Sequence, residues 1–357
     1  MLASPAFADD AKVLPAGVLR TTLAPIFVTS QSSFSSDFEV DRSSDTETKF
    51  FNLGLALEYG VTDWITAAVQ WAPGWTIWSE VDPDTGNELF DDADEDAELH
   101  RFFDVFAGAK VQVIGENAPV QRSDMRFAFA PGVKIPLGYP DWDDQYDGSL
   151  SGGDANFEDP HVFATPQRGP DTNAFGVGGR IYYDYIINEN WFINLFSEAG
   201  VYIGETRAPN LPYHMLAELL NDLGEDYDTD EFGYGWDIQF EIEPHFETMV
   251  GEGMLFAASL PINIDYLPEI TLGGDKLSDI ADDMSDHPAP GAGDSLDAAW
   301  GDEGPSSLLT VGPKLKFFAR SWTVPTEFIA QYNIPVAGRR VNASHSFVLQ
   351  IRNYLSF

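Results

Sequence analysis

The sequence contains no cysteine. That excludes disulfide frameworks, thiolate zinc sites and cysteine nucleophiles. Basic residues are scarce, with 19 Lys+Arg against 58 Asp+Glu and a formal net charge of −39. A chain of this balance is no nucleic-acid binder working through a basic face. No apolar run approaches the ~18 residues of a membrane-spanning helix. Membrane barrels pass that test, because their apolar band is hidden in alternation. At 357 residues and 44% hydrophobic, the chain is too apolar for an acidic disordered polymer. Its length fits two soluble domains or one large β barrel.

What is present is period-two alternation, repeated along the chain. From 237 to 248 one face reads Asp237, Gln239, Glu241, Glu243, His245, Glu247, and the other Ile238, Phe240, Ile242, Pro244, Phe246, Thr248. Successive strand side chains point to opposite faces, so such a strand is polar on one side and apolar on the other. Twelve segments of this kind fall near 17–29, 48–59, 64–78, 100–114, 124–137, 173–187, 190–204, 233–248, 251–266, 307–319, 321–335 and 341–357. Ten residues at ~3.3 Å each, tilted by ~40°, rise about 25 Å, the height of a bilayer's apolar band. The links at 60–63, 115–123, 188–190, 249–253 and 319–321 are short. Those at 30–47, 79–99, 138–172, 205–232 and 267–306 are long, and a short one at 336–340 precedes the last strand. This predicts an all-β, 12-stranded antiparallel transmembrane β barrel with short periplasmic turns, long extracellular loops and both termini in the periplasm.

The ends of the chain agree with export to a bacterial outer membrane. Ala6-Phe7-Ala8 before Asp9-Asp10 has the form of a signal-cleavage site, so residues 1–8 read as a residual signal-peptide end and 9–357 as a single barrel. Trp64, Trp191 and Trp322 each follow a short turn, where indoles sit at a membrane interface. Leu349, Ile351, Leu355 and Phe357 share one face of the last strand, a C-terminal pattern that implies recognition by the barrel-assembly machinery.

The five long loops hold 41 of the 58 acidic residues but only Arg42, Arg168, Arg207 and Lys276 among the basic ones. The barrel is therefore nearly neutral beneath an acidic crown, which attracts counter-ions or bound metal. Two stretches have calcium-like spacing: Asp82 and Asp84 before a run of carboxylates, and Asp226, Asp228, Asp230. Alternating oxygen ligands of this kind begin an EF-hand loop, but Glu231 stands where its turn glycine belongs. A solvated acidic face or a basic surface partner accounts for the same residues. Tyr213–Leu223 and Asp275–Asp286 have helical spacing, either narrowing the mouth or packing loops together.

Alternation also assigns the lumen. Asp237, Glu241, Glu243, His245 and Glu247 form an acidic wall joined by Asp184, Glu198 and Glu327; Arg20, Lys110, Arg126, Lys134, Arg180, Lys314, Lys316 and Arg352 point inward as well. Charge rows of this kind set selectivity in a pore for small solutes, or fill a closed barrel with ion pairs. Inward aromatics are expected at Phe102, Phe106, Tyr182, Phe192, Phe196, Tyr202, Phe318 and Tyr354. Catalysis is not supported, and no cofactor is required. Ser344-His345-Ser346 places serine and histidine on opposite faces of a strand, out of the hydrogen-bond reach that nucleophile and base need.

Leu57-Glu58-Tyr59-Gly60-Val61-Thr62-Asp63-Trp64 resembles a hairpin of the phenol meta-degradation-pathway transporter-like family of outer-membrane barrels. Pro131-Gly132-Val133-Lys134-Ile135-Pro136-Leu137-Gly138 is similar to that family's strand before a long outer loop. The resemblance implies passage of small aromatic or other hydrophobic compounds. The reading reached is a porin-like channel with a cation-attracting mouth. The alternative is a closed structural barrel whose loops bind calcium or a partner. A lipid-modifying enzyme is third, and a homo-oligomer is open.

Overall fold

A computed structural model of the chain describes residues 10–41, 46–83, 103–137, 174–208, 211–284 and 303–357. They form a closed, antiparallel, 12-stranded barrel. Its strands are β1 (Val18–Ser30), β2 (Thr46–Thr62), β3 (Ile65–Pro83), β4 (Val105–Gly115), β5 (Met125–Ile135) and β6 (Phe175–Ile186). There follow β7 (Trp191–Ile203), β8 (Trp236–Met249), β9 (Met254–Ser259 with Ile262–Leu267), β10 (Ser306–Val311 with Lys314–Ala319), β11 (Thr326–Arg339) and β12 (His345–Ser356). Each strand pairs with its sequence neighbours, and β1 closes on β12 from Val18↔Ser356 to Thr29↔His345. Closure leaves no unpaired edge, the condition for carrying backbone polar groups across hydrocarbon.

The expected alternation is realised in burial. On β8, Glu241, Glu243 and His245 are buried while Ile238, Phe240 and Ile242 are exposed on the outer face. Leu23, Leu57, Val69, Ile181, Val201, Ile264, Leu315 and Leu349 extend that apolar exterior around the circumference. An apolar surface of this extent is a membrane contact rather than a water-facing one. Trp191 and Trp322 are exposed at the short-turn end.

Proline sets the irregularities. β9 is interrupted at Leu260-Pro261 and β10 at Gly312-Pro313, and the Gly312 N–H donates to the Pro261 carbonyl across the gap at 2.9 Å. Proline has no N–H to give to a ladder, and these two lie where the ladder is broken, whereas Pro25, Pro131 and Pro244 keep register partners within β1, β5 and β8.

Two helices, α1 (Leu211–Leu223) and α2 (Leu277–Met284), stand at the long-loop end. They pack with the loop strands into a small core containing Tyr213, Leu220, Phe232, Ile270, Leu272, Leu277, Ile280 and Met284. That core rests on Tyr202 and Tyr234, so the helices join the loops after β7 and β9 into one cap. The Tyr227 hydroxyl donates to Asp275, and partial burial with that carboxylate pushes its phenol up to about 12.

Candidate functional site

The charged side chains assigned to the lumen lie inside the barrel, and most of them pair with one another. At the long-loop end, Lys134 is bonded to Asp237 and lies 3.4 Å from Glu198, while the Tyr202 hydroxyl donates to Asp237 at 3.1 Å. Arg180 donates to Glu198 at 2.5 Å and lies over the Phe106 ring at 3.9 Å. Further round the wall, Lys314 meets Glu243 at 2.8 Å, and Lys316 and Arg352 both meet Glu327 at 3.3 Å. His245 sits between Glu243 at 3.5 Å and Glu247 at 3.8 Å, its ring stacked on Phe192. Arg20 and Glu58 form a pair at 2.6 Å, Arg126 and Asp184 one at 3.3 Å. Opposite charges held in a low-dielectric interior offset one another's desolvation. The charges thus pair locally instead of standing as two opposed rows.

A segment that no sequence pattern announces enters this lumen. Residues 10–17 run in from the short-turn end, held by side chains of the wall. The Ala11 N–H donates to both Asp184 oxygens at 3.2 Å, and the Ala11 carbonyl accepts from Gln112 Nε2 at 2.9 Å. Lys110 Nζ donates to the Asp10 carbonyl at 2.9 Å, and the Leu14 N–H donates to Thr66 Oγ1 at 2.8 Å. Ala11 is wholly buried among Ala128, Ala130, Tyr182 and Phe196. Lower down, the Gly17 N–H donates to the Gly60 carbonyl, and a Cβ on Gly60 would lie 2.0 Å from the Pro15 carbonyl oxygen. Lys12 adds an ion pair with Glu247 at 3.7 Å and Asp10 one with Arg126 at 3.8 Å, but most of the hold is through backbone groups, which leave no periodicity in the sequence.

With the segment in place, a lumen cavity lined by Asp10, Asn194, Glu243, His245, Lys314 and Arg352 measures about 20 Å³. Another, lined by Glu58, Gln70, Phe106, Lys110 and Arg180, measures about 20 Å³. Each has room for about one water. A larger hollow of about 400 Å³ lies in the wall at β1 to β3, lined by Leu23, Leu55, Leu57, Val69 and Trp71.

Phe106, Tyr182, Phe192, Phe196 and Tyr202 are buried, and Phe318 packs on Tyr354 at 5.0 Å between ring centres. Phe102 and Asp84 lie outside the described residues, as do 1–9 and the longest loops; Asp82 is near the end of β3. Asp226, Asp228 and Asp230 are exposed on the cap, with Asp230 3.9 Å from Arg207. Among the described residues no three His, Asp or Glu converge as a metal site. Ser346 bonds to Asn333 inside, whereas His345 meets the Tyr332 hydroxyl outside at 3.0 Å, so the two do not meet. Asp265, buried on β9, was not among the residues expected in the lumen, although Ile262-Asn263-Ile264-Asp265 alternates visibly.

No family model matches the chain, and no curated relative matches it. Among solved structures, an outer membrane channel from Pseudomonas putida F1 is similar over 97% of this chain and 98% of its own, with TM-score 0.60 and 12% identity. The beta domain of a Bordetella autotransporter aligns over 96% of this chain and 100% of its own, with TM-score 0.43 and 10% identity. Of the two segments that carry the sequence resemblance, 57–64 ends β2 and makes the turn into β3, and 131–135 of the second form the upper half of β5, Gly138 lying outside the described residues. Closed twelve-strand topology, an apolar exterior and the first of these likenesses place the fold among bacterial outer-membrane β-barrels.

Proposed function

We propose that the protein is an outer-membrane channel for passive or facilitated diffusion of small polar solutes, with cations favoured at its mouth and residues 10–16 closing it from the short-turn end. One observation carries the reading: the segment in the lumen is held by wall side chains and not by strand pairing. It can leave without breaking the barrel, as a gate must, and its exit uncovers a lining of charged and amide groups. On this reading the carboxylates of β8, with Glu198 and Glu327, set selectivity, while Lys134, Arg180, Lys314, Lys316 and Arg352 shape the constriction. The acidic loops raise the cation concentration outside.

The experiment is single-channel conductance and reversal potential in planar bilayers, on the full chain and on a variant lacking residues 1–16, with and without millimolar calcium. Rare cation-selective openings in the full chain and frequent ones in the truncated chain are expected. The small lumen cavities favour a second reading, a closed barrel whose acidic loops bind calcium or a surface partner. A folded, truncated barrel that stays silent would refute the channel and leave the closed-barrel reading.

A further inference from the structure

The lumen charges do not cancel completely. Among the described residues, the eight inward Lys and Arg side chains named above each have a partner, yet two buried carboxylates, Glu241 and Asp265, have no basic side chain within ion-pair distance. They lie on adjacent strands, one register step apart: Glu241 pairs with Asn263, and Gln239 with Asp265. Gln239 Nε2 donates to Asn263 Oδ1 at 2.9 Å, and Asn263 Nδ2 donates to Asp265 Oδ2 at 2.8 Å. This amide relay directs a donor at Asp265 and none at Glu241.

Glu241 is the independent sign of a missing ligand. It is 5% exposed, and its Oε1 is buried with no hydrogen-bond partner. An orphaned buried oxygen costs several times what a made hydrogen bond returns, so native structures rarely leave one. Glu243 does not share this state, because Lys314 and His245 occupy it. Two carboxylates with an amide oxygen beside them and no basic side chain in ion-pair contact match the oxygen-only donor set of a hard divalent cation. Two carboxylates also supply the charge that one such ion neutralises.

The geometry points to a divalent-cation site in the barrel wall, formed by Glu241 and Asp265 with the side-chain oxygen of Gln239. It is separate from the acidic loops and stands whether or not the barrel conducts.

The test is equilibrium dialysis of the detergent-folded full chain against calcium, comparing wild type with E241Q/D265N and with D226N/D228N/D230N. Folding is verified by the heat-dependent shift on gels. The expected result is loss of one bound calcium per chain in E241Q/D265N, with that ion retained in the loop variant. Should E241Q/D265N not fold, D265N alone is expected to weaken that ion's binding at least tenfold. Unchanged calcium stoichiometry and affinity in folded E241Q/D265N, or in D265N where only that folds, would overturn the site. Because dialysis measures binding, a silent bilayer recording would refute the channel and leave this result standing.

Discussion

Asp184→Asn tests how the lumen segment is held. Asp184 is fully buried and accepts from the Ala11 N–H at 3.2 Å and from Asn194 Nδ2 at 2.8 Å, with Arg126 at 3.3 Å. The substitution keeps the volume and an acceptor oxygen but removes the charge. A hydrogen bond to an ionised acceptor contributes roughly 1.5–3 kcal/mol and one to a neutral acceptor about 1. The seated segment therefore loses about 1 kcal/mol, roughly fivefold in the population that has left the lumen. Asp184→Ala also strands the Ala11 N–H, which costs about 1–3 kcal/mol, or up to about a hundredfold. The barrel itself loses a partner for Arg126, so stability must be read separately from seating. The absence of cysteine makes that possible, since Ala11→Cys introduces the only thiol. Its labelling rate with a charged maleimide, in folded protein, reports the unseated fraction. Rates should rise about fivefold in Asp184→Asn and at least tenfold in Asp184→Ala. Equal rates in all three backgrounds would refute the idea that Asp184 anchors the segment.

Gly60→Ala should unseat the same segment from below, because its Cβ would collide with the Pro15 carbonyl; the same thiol should label at least tenfold faster while the folded barrel's melting temperature holds. Lys134→Gln leaves Asp237 with only Tyr202 and should move the reversal potential toward ideal cation selectivity, with roughly 3–5 kcal/mol lost from the broken buried pair in chemical denaturation. Deleting Phe357, which is 85% exposed, should lower the yield of barrel inserted in cells at least several-fold; the protein refolded in detergent should match wild type, since little packing is removed.

The barrel was legible because its code is redundant. A period of two repeated over twelve segments fixes which face meets lipid, and one misread strand would be corrected by its neighbours. The lumen charges followed from the same parity, as Asp237, Glu241, Glu243 and Glu247 illustrate. Their partners did not, because which Lys reaches which Glu depends on barrel curvature and shear. Lys134 on β5 meets Asp237 on β8, three strands round the wall and 103 positions away. Asp265 was legible in principle, but Pro261 cuts its strand to six residues, too short to stand out. The helical stretches were found by their spacing; that they share one core with Phe232 and Ile270 needed the fold. Residues 10–16 carry no pattern, since their hold on the wall is made chiefly by backbone groups.

On the channel proposed above, cation preference would have two sources that differ in reach, and ionic strength separates them. On that proposal the acidic loops would act from outside the barrel, through water. Their influence on ions at the mouth extends about one Debye length, about 30 Å at 0.01 M salt and about 3 Å at 1 M. The carboxylates at Glu198 and Asp237 would act within the barrel at contact distance, where few mobile ions intervene. Reversal potentials measured at a fixed tenfold gradient should therefore fall as the mean salt rises, then level off at a value set by the lumen. Neutralising the loop carboxylates should remove the salt-dependent part and leave that plateau. Lys134→Gln should raise the plateau and leave the slope unchanged. If selectivity is the same at all salt concentrations, the crown plays no part in conduction and the loops serve another purpose. If it falls to zero at high salt, the paired lumen charges do not select ions, and the mouth alone does.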